Sequence, residues 1–147
     1  MSSKTGVPDG YHTVTPYLVV RDVPKLIAFL KQAFDAELVE EVNVEGSITH
    51  AEVKIGDSMI MMGEARGERQ PMQSMLYLYV PDTDAVYKKA MDAGATSVME
   101  PVDQFYGDRN AGVKDHNGNE WWIGTRKENI SKEELQKRTE AKMAQKK

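Results

Sequence analysis

The sequence contains no cysteine, which excludes disulfides, thiolate nucleophiles and cysteine-ligated metals but does not fix the compartment. It has no apolar run near the roughly 20 residues that cross a bilayer. Its first residues, MSSKTGVPDG, lack the apolar segment of a secretory signal, so a cytoplasmic protein without membrane partners is expected. A basic body is missing too. Within the formal net charge of −4, Arg126 to Lys147 holds eight Lys or Arg against four Glu, which leaves the rest of the chain near −8. An acidic body disfavours a polyanion, and the tail is mixed in sign without aromatic interleaving, so no nucleic-acid partner is expected.

What is present suits an ordinary globular fold. The 147 residues are 40% hydrophobic and 29% charged, enough for one domain or two tightly packed half-domains. The organising signal is an internal echo: TPYLVVRDVPKLIAFLKQAFDAEL from Thr15 returns as MLYLYVPDTDAVYKKAMDAGATSV from Met75. In each copy a period-two run ends in Val (Val20, Val80), and an Asp two residues on (Asp22, Asp82) can cap a helix. Leu26, Ile27, Phe29, Leu30, Ala33 and Phe34 then follow at helical spacing in the first copy, and Val86, Ala90 and Ala93 before Gly94 in the second.

Residues 1–10 read as disordered, and residues 11–63 as a first β-α-β-β-β module: strand 14–20, a helix after Asp22, strands 37–44 and 48–55 turning at Glu45-Gly46, and a strand 59–62 after Gly56-Asp57. Residues 64–74, EARGERQPMQS, lack periodicity and read as a linker. Residues 75–126 repeat the order with strands 75–80, 97–102, 111–114 and 120–124, the last two joined at Asn117-Gly118, a pair that favours the type I′ hairpin turn. Residues 127–147 form a basic tail, in which Ser131 and Glu134 suit a capping box for a short helix with little apolar face. The fold class is therefore α+β, built of duplicated βαβββ modules.

Strand alternation assigns faces. Leu18, Val20, Ile60, Leu76, Leu78, Val80 and Ile123 supply core against the helices, which leaves Tyr17, Met59, Met61, Met75, Tyr77, Tyr79 and Trp122 on the opposite faces. A second apolar surface of this kind needs a ligand, a second subunit, or both, and a homodimer is expected. His50 and Glu52 lie two apart on one strand and share that side, the arrangement of a carboxylate-oriented imidazole base. The alternative is a polar strand face with a cross-strand ion pair involving Lys54. Arg109, in the loop DQFYGDR, is a candidate clamp for a carboxylate or phosphonate group, or an ordinary surface residue.

The stretches TPYLVVRD, FLKQAFDAEL, HAEVKIGDSMIMM, LYLYVPDTDAV, AGAT and FYGDRNAGVKDHNGNEWWI resemble the vicinal oxygen chelate superfamily, which includes glyoxalase I, extradiol dioxygenases and bleomycin resistance proteins, and within it the PhnB-like branch. The resemblance spans Val14 to Gly124. It departs at Asp35, where a Gly is usual after the first helix, and at DHNGNEW. It implies a curved mixed sheet from both modules around a cleft, and in metal-dependent members a His, Glu, His, Glu ligand set. Carried over, those positions fall on Thr15, Met61, Met75 and Trp122, none a ligand for a hard divalent ion. No metal and no cofactor are therefore expected. The resemblance and the residues together imply a small planar or anionic molecule bound in a metal-free cleft by Tyr17, His50, Glu52, Met59, Met61, Met75, Tyr77, Tyr79, Arg109 and Trp122, with no reaction disclosed. The alternative is a metal-dependent or acid-base enzyme of the glyoxalase or dioxygenase type, for which His50 and Glu52 are the catalytic candidates.

Overall fold

A computed structural model describes residues 5–145. The first four residues of the segment expected to be disordered lie outside the described residues, and 5–10 form bends and turns. The element order is β1 (Tyr17–Val20), α1 (Val23–Phe34), β2 (Glu37–Val44), β3 (Ser47–Ile55), β4 (Ser58–Glu64), β5 (Met75–Tyr79), α2 (Thr83–Asp92), β6 (Thr96–Asp103), β7 (Asp108–Lys114), β8 (Glu120–Arg126) and α3 (Lys132–Gln145). The strands form two four-stranded mixed sheets, ordered β1-β4-β3-β2 and β5-β8-β7-β6. In each, the first and last strands of the repeat run parallel and the other pairs antiparallel. The curved sheet implied by the resemblance is thus two sheets of identical order.

Both helices start where their aspartates allow. The Asp22 carboxylate accepts the Lys25 N–H and that of Asp82 the Ala85 N–H, each at 3.2 Å, and Pro24 sits in the first turn of α1, where no intrahelical N–H is needed. α1 buries Leu26, Ile27, Phe29, Leu30, Ala33 and Phe34 against Leu18, Val20, Val53 and Ile60 of its sheet. α2 lies mainly on β6, β7 and β8, and the two halves meet chiefly as α1 against α2. The Phe34 ring lies 5.5 Å from that of the fully buried Trp121, whose indole N–H donates to Asp115 at 2.9 Å. A second junction joins β1 to the last hairpin: Asn117 accepts the Arg21 N–H at 2.9 Å, while its amide, at 3.0 Å, and His116, at 2.9 Å, bond the Arg21 carbonyl.

Two turns correct or refine the sequence reading. Glu45 and Gly46 both take positive φ (52° and 86°), as a type I′ turn requires. At Asn117-Gly118 the hairpin forms, but Gly118 alone is left-handed (φ 81°), with the Asp115 N–H bonded to the Asn119 carbonyl and the Gly118 N–H to the Asp115 carbonyl. This is the longer loop closed by a left-handed Gly rather than a two-residue I′ turn, because the Asp115 carboxylate holds the N–H groups of Asn117 and Asn119. Strand limits differ too. β1 starts at Tyr17 rather than Val14, after Pro16, while β7 starts at Asp108 and β8 runs on to Arg126.

α3 has no buried residue, as its thin apolar face foretold. The Ser131 hydroxyl accepts the Glu134 N–H at 3.0 Å, but the Glu134 carboxylate turns to Arg138 instead of completing the box. Arg138 in turn donates to the Phe105 carbonyl at 2.9 Å and to Glu128, which ties the helix to the loop before β7. No helix among the described residues is long and apolar enough to cross a membrane.

Asp35, the residue standing where Gly is usual, ends α1 in the left-handed region (φ 54°) and accepts Lys89 at 2.8 Å on an exposed surface. A left-handed L-residue costs about 1–2 kcal/mol, while an exposed ion pair contributes about 0–1 kcal/mol. Asp35→Gly should therefore raise stability by up to about 1 kcal/mol, and Asp35→Ala, which keeps the Cβ and loses the pair, should lower it. Denaturant midpoints of the two variants should move in opposite directions.

Candidate functional site

The outer face of the first sheet is set by the β1, β3 and β4 register, in which Tyr17 pairs with Met61, Glu52 with Met61 and His50 with Gly63. A Cβ on Gly63 would stand 2.5 Å from the Tyr17 hydroxyl, so the glycine is what lets the tyrosine ring lie across β4. The hydroxyl then reaches His50 Nδ1 at 3.2 Å, and His50 Nε2 meets Glu52 Oε2 at 2.9 Å. With the carboxylate fixing the proton on Nε2, Nδ1 is the acceptor for the Tyr17 O–H. Tyr11, from the segment before β1, donates its hydroxyl to the other Glu52 oxygen. Met59 is buried on this side without joining the helix-packed core, and Met61 is half-buried.

Burial pulls the Glu52 carboxyl upward, but the hydrogen bonds from Tyr11 and His50, joined by the ring's positive charge whenever His50 is protonated, outweigh it and hold Glu52 below the usual carboxylate range. Tyr11 is pushed up to about 12, first by its hydrogen bond to Glu52 and then by burial. Tyr11, His50, Glu52 and Tyr17 are thus one hydrogen-bonded chain whose outer end, Tyr17, is exposed.

The second sheet repeats the geometry with other chemistry. Tyr77 pairs with Trp122, Asn110 with Gly124 and Gly112 with Trp122, so Tyr77, Asn110, Gly112, Trp122 and Gly124 occupy the places of Tyr17, His50, Glu52, Met61 and Gly63. The Tyr77 hydroxyl accepts from Asn110 Nδ2 at 3.0 Å, as Tyr17 meets His50, and a Cβ on Gly124 would stand 2.4 Å from it. Trp122 lies over Gly112, where a Cβ would meet the ring at 2.9 Å, and its N–H donates to Glu120 at 2.9 Å. Asp108 is 3% exposed and accepts from Tyr77 at 2.8 Å, from Tyr79 at 3.3 Å and from Arg126 Nε at 2.6 Å. Desolvation drives the Tyr77 hydroxyl pKa upward, Asn110 opposes it, and Asp108 adds to it.

The structure therefore divides the expected site residues. Tyr17, His50, Glu52, Met59 and Met61 lie on one sheet, while Met75, Tyr77, Tyr79 and Trp122 lie on the other, and no hydrogen bond links the groups among the described residues. The single cavity expected from strand parity is corrected on this point, because the halves meet through their helices. The space between them is a groove of about 920 Å³ that runs along β5, Tyr77 and Tyr79 included, and draws on helix-side residues such as Phe34, Ile60, Leu76 and Leu78.

Arg109 is a second correction. Because β7 begins at Asp108, alternation turns Arg109 toward α2, where Nε and Nη2 bond Asp84 at 2.8 and 2.9 Å and Nη1 bonds Asp103 at 3.3 Å. Those partners raise its pKa and lower that of Asp84, and they leave it no part in the outer face. Sequence reasoning missed Tyr11, Tyr106, Asp108, Asn110 and Arg126. The internal repeat was the available signal, since superposing Tyr17 on Tyr77 carries His50 onto Asn110.

The ligand positions implied by the resemblance hold a hydroxyl, two thioethers and an indole: Thr15 before β1, Met61 on β4, Met75 opening β5 and Trp122 on β8, its N–H already given to Glu120. That donor set does not fit a hard divalent ion. No group of three His, Asp or Glu able to hold a metal occurs among the described residues.

Two repeated units with a tyrosine-centred polar group on each open sheet face define a protein of the paired βαβββ class. Residues 11–123 match the sequence profile of the Glyoxalase/Bleomycin resistance protein/Dioxygenase superfamily, and the chain belongs to it. An uncharacterized protein of Mycobacterium bovis is 32% identical over 135 residues, covering 84% of this chain and 89% of its own. TioX from Micromonospora sp. ML1 shares the fold (TM-score 0.68, 21% identity, 78% of this chain and 98% of that one). So does FosX, a fosfomycin resistance protein of Listeria monocytogenes solved with Mn(II) and 1S,2S-dihydroxypropylphosphonic acid (TM-score 0.62, 18% identity, 87% and 97%).

The lowered Glu52 pKa fixes a sign. A carboxylate held below its unfolded value contributes stability above that value and loses it as pH falls through the folded one. The stability difference between the native chain and Glu52→Gln should thus be full above about pH 5 and shrink below about pH 4, as denaturant unfolding across that range would show.

Proposed function

We propose that this member of the superfamily binds a small planar or anionic molecule on its open sheet faces without a resident metal ion. The observation that carries the reading is the exchange of the ligand set for Thr15, Met61, Met75 and Trp122, beside aromatic and thioether side chains that the helices leave uncovered. Tyr17, Tyr77 and Met75 are exposed, and Tyr79 is 61% exposed. Tyrosine and tryptophan offer flat apolar contact with a polar edge, and methionine adapts to an irregular partner, at about 25 cal/mol per Å² buried. Each sheet supplies half of such a lining. A homodimer, in which a second copy covers the unpaired edge of β5, would complete it. Membership of the PhnB-like branch within the superfamily is part of the same proposal, supported by the resemblance of stretches such as HAEVKIGDSMIMM and LYLYVPDTDAV.

Acid-base catalysis is the second reading, and the Tyr17–His50–Glu52 chain favours it. Glu52 holds the imidazole in the tautomer whose Nδ1 takes the Tyr17 proton, so Tyr17 is the group a substrate would meet.

The purified protein should carry no stoichiometric Zn, Ni, Mn or Fe, and chelators should leave its melting temperature unchanged; tight metal by elemental analysis overturns the reading. Trp122→Ala should weaken ligand binding strongly with the fold intact. His50→Ala separates the two readings: an acid-base enzyme loses turnover and keeps binding, whereas a binding protein loses some affinity and nothing else.

A further inference from the structure

Three arginines make ion pairs to aspartate or glutamate among the described residues, and one leaves part of its guanidinium uncommitted. Arg109 holds both Asp84 and Asp103, and Arg138 both Glu134 and Glu128. Arg126 holds Asp108 alone, through Nε at 2.6 Å. Its outer nitrogens have distant neutral partners, Tyr79 Oη at 3.4 Å and Asn129 Oδ1 at 3.5 Å. Beside it, the Tyr106 hydroxyl accepts from the buried Asn110 at 2.6 Å, and its own proton goes to no acceptor among the described residues.

These donors face one pocket of about 340 Å³, lined by Tyr77, Tyr79, Tyr106, Asp108 and Arg126, and walled by Ile130 and Leu135. That volume suits a small ligand. Asp108 does not repel an anion effectively, since Tyr77, Tyr79 and Arg126 already engage its oxygens. The wall is held in place, because Arg138 ties α3 to the carbonyl of Phe105, next to Tyr106.

We propose that this pocket is a carboxylate subsite, in which the outer Nη atoms of Arg126 and the Tyr106 hydroxyl bind the carboxylate while its small aromatic or branched apolar body packs on Ile130 and Leu135. The geometry parallels the two-carboxylate use of Arg109 and Arg138, with the ligand as second partner. The subsite rests on the small-molecule reading above and narrows its ligand to a monocarboxylate.

Amide NMR of the isotope-labelled full chain, titrated separately with benzoate, benzamide and benzylamine, tests it. Benzoate should bind tightest and shift the signals of Tyr106, Arg126 and Leu135. Tyr106→Phe and Leu135→Glu should each weaken it about tenfold, with otherwise native spectra, the second being on a helix that buries nothing. Benzylamine binding as well as benzoate, or benzoate binding unmoved by both variants, overturns the subsite. Shifts confined to Tyr17, His50 and Glu52 also overturn it while leaving the small-molecule reading standing. No shift on either face removes both.

Discussion

Packing of the two helices between the halves is the constraint on which the molecule depends. Trp121 sits at its centre, wholly buried, its ring against Phe34 of the other half. Burying an indole N–H without a partner is costly, and Asp115 removes that cost while also holding the backbone of the last hairpin. Because the helix side of each sheet is consumed in this way, alternate residues are turned outward on both sheets. The polar groups around His50 and Asp108 are therefore by-products of core formation in their position and differ in their chemistry alone.

The architecture was legible in the sequence because it is written twice. Val20-Asp22 and Val80-Asp82 mark the same strand-to-helix step, and the capping aspartates do what their spacing foretold. Where the reading failed, local rules met tertiary ones. Asn117-Gly118 promised a two-residue turn, but the Asp115 side chain captured two backbone N–H groups and lengthened the loop. The pattern DQFYGDR suggests a loop through Arg109, whereas β7 begins at Asp108, which turns Arg109 to the helix side and Asp108 and Asn110 outward.

The candidate site was legible by face and not by grouping. Parity put Tyr17, His50 and Glu52 together, and their hydrogen bonds agree. It could not reveal that the two halves turn their helices to each other, which depends on Phe34 meeting Trp121 across many intervening residues. Nor could it reveal Tyr11, which reaches Glu52 from a segment without periodicity. The superfamily assigns the fold firmly, while the chemistry rests on side chains that differ between the two copies within this one chain.

The contact between Gly112 and Trp122 constrains how one face could be converted into the other. In the first half the matching positions are Glu52 and Met61, a carboxylate beside a flexible thioether. In the second the indole occupies the space over β7, and a Cβ at position 112 would meet it at 2.9 Å. The indole in this place and a side chain at position 112 thus compete for one space, and a Cβ there would push the ring aside. Placing a carboxylate at position 112, as at Glu52, therefore requires the indole to move. The two faces are thus not interchangeable one residue at a time: positions 112 and 122 form a single steric unit.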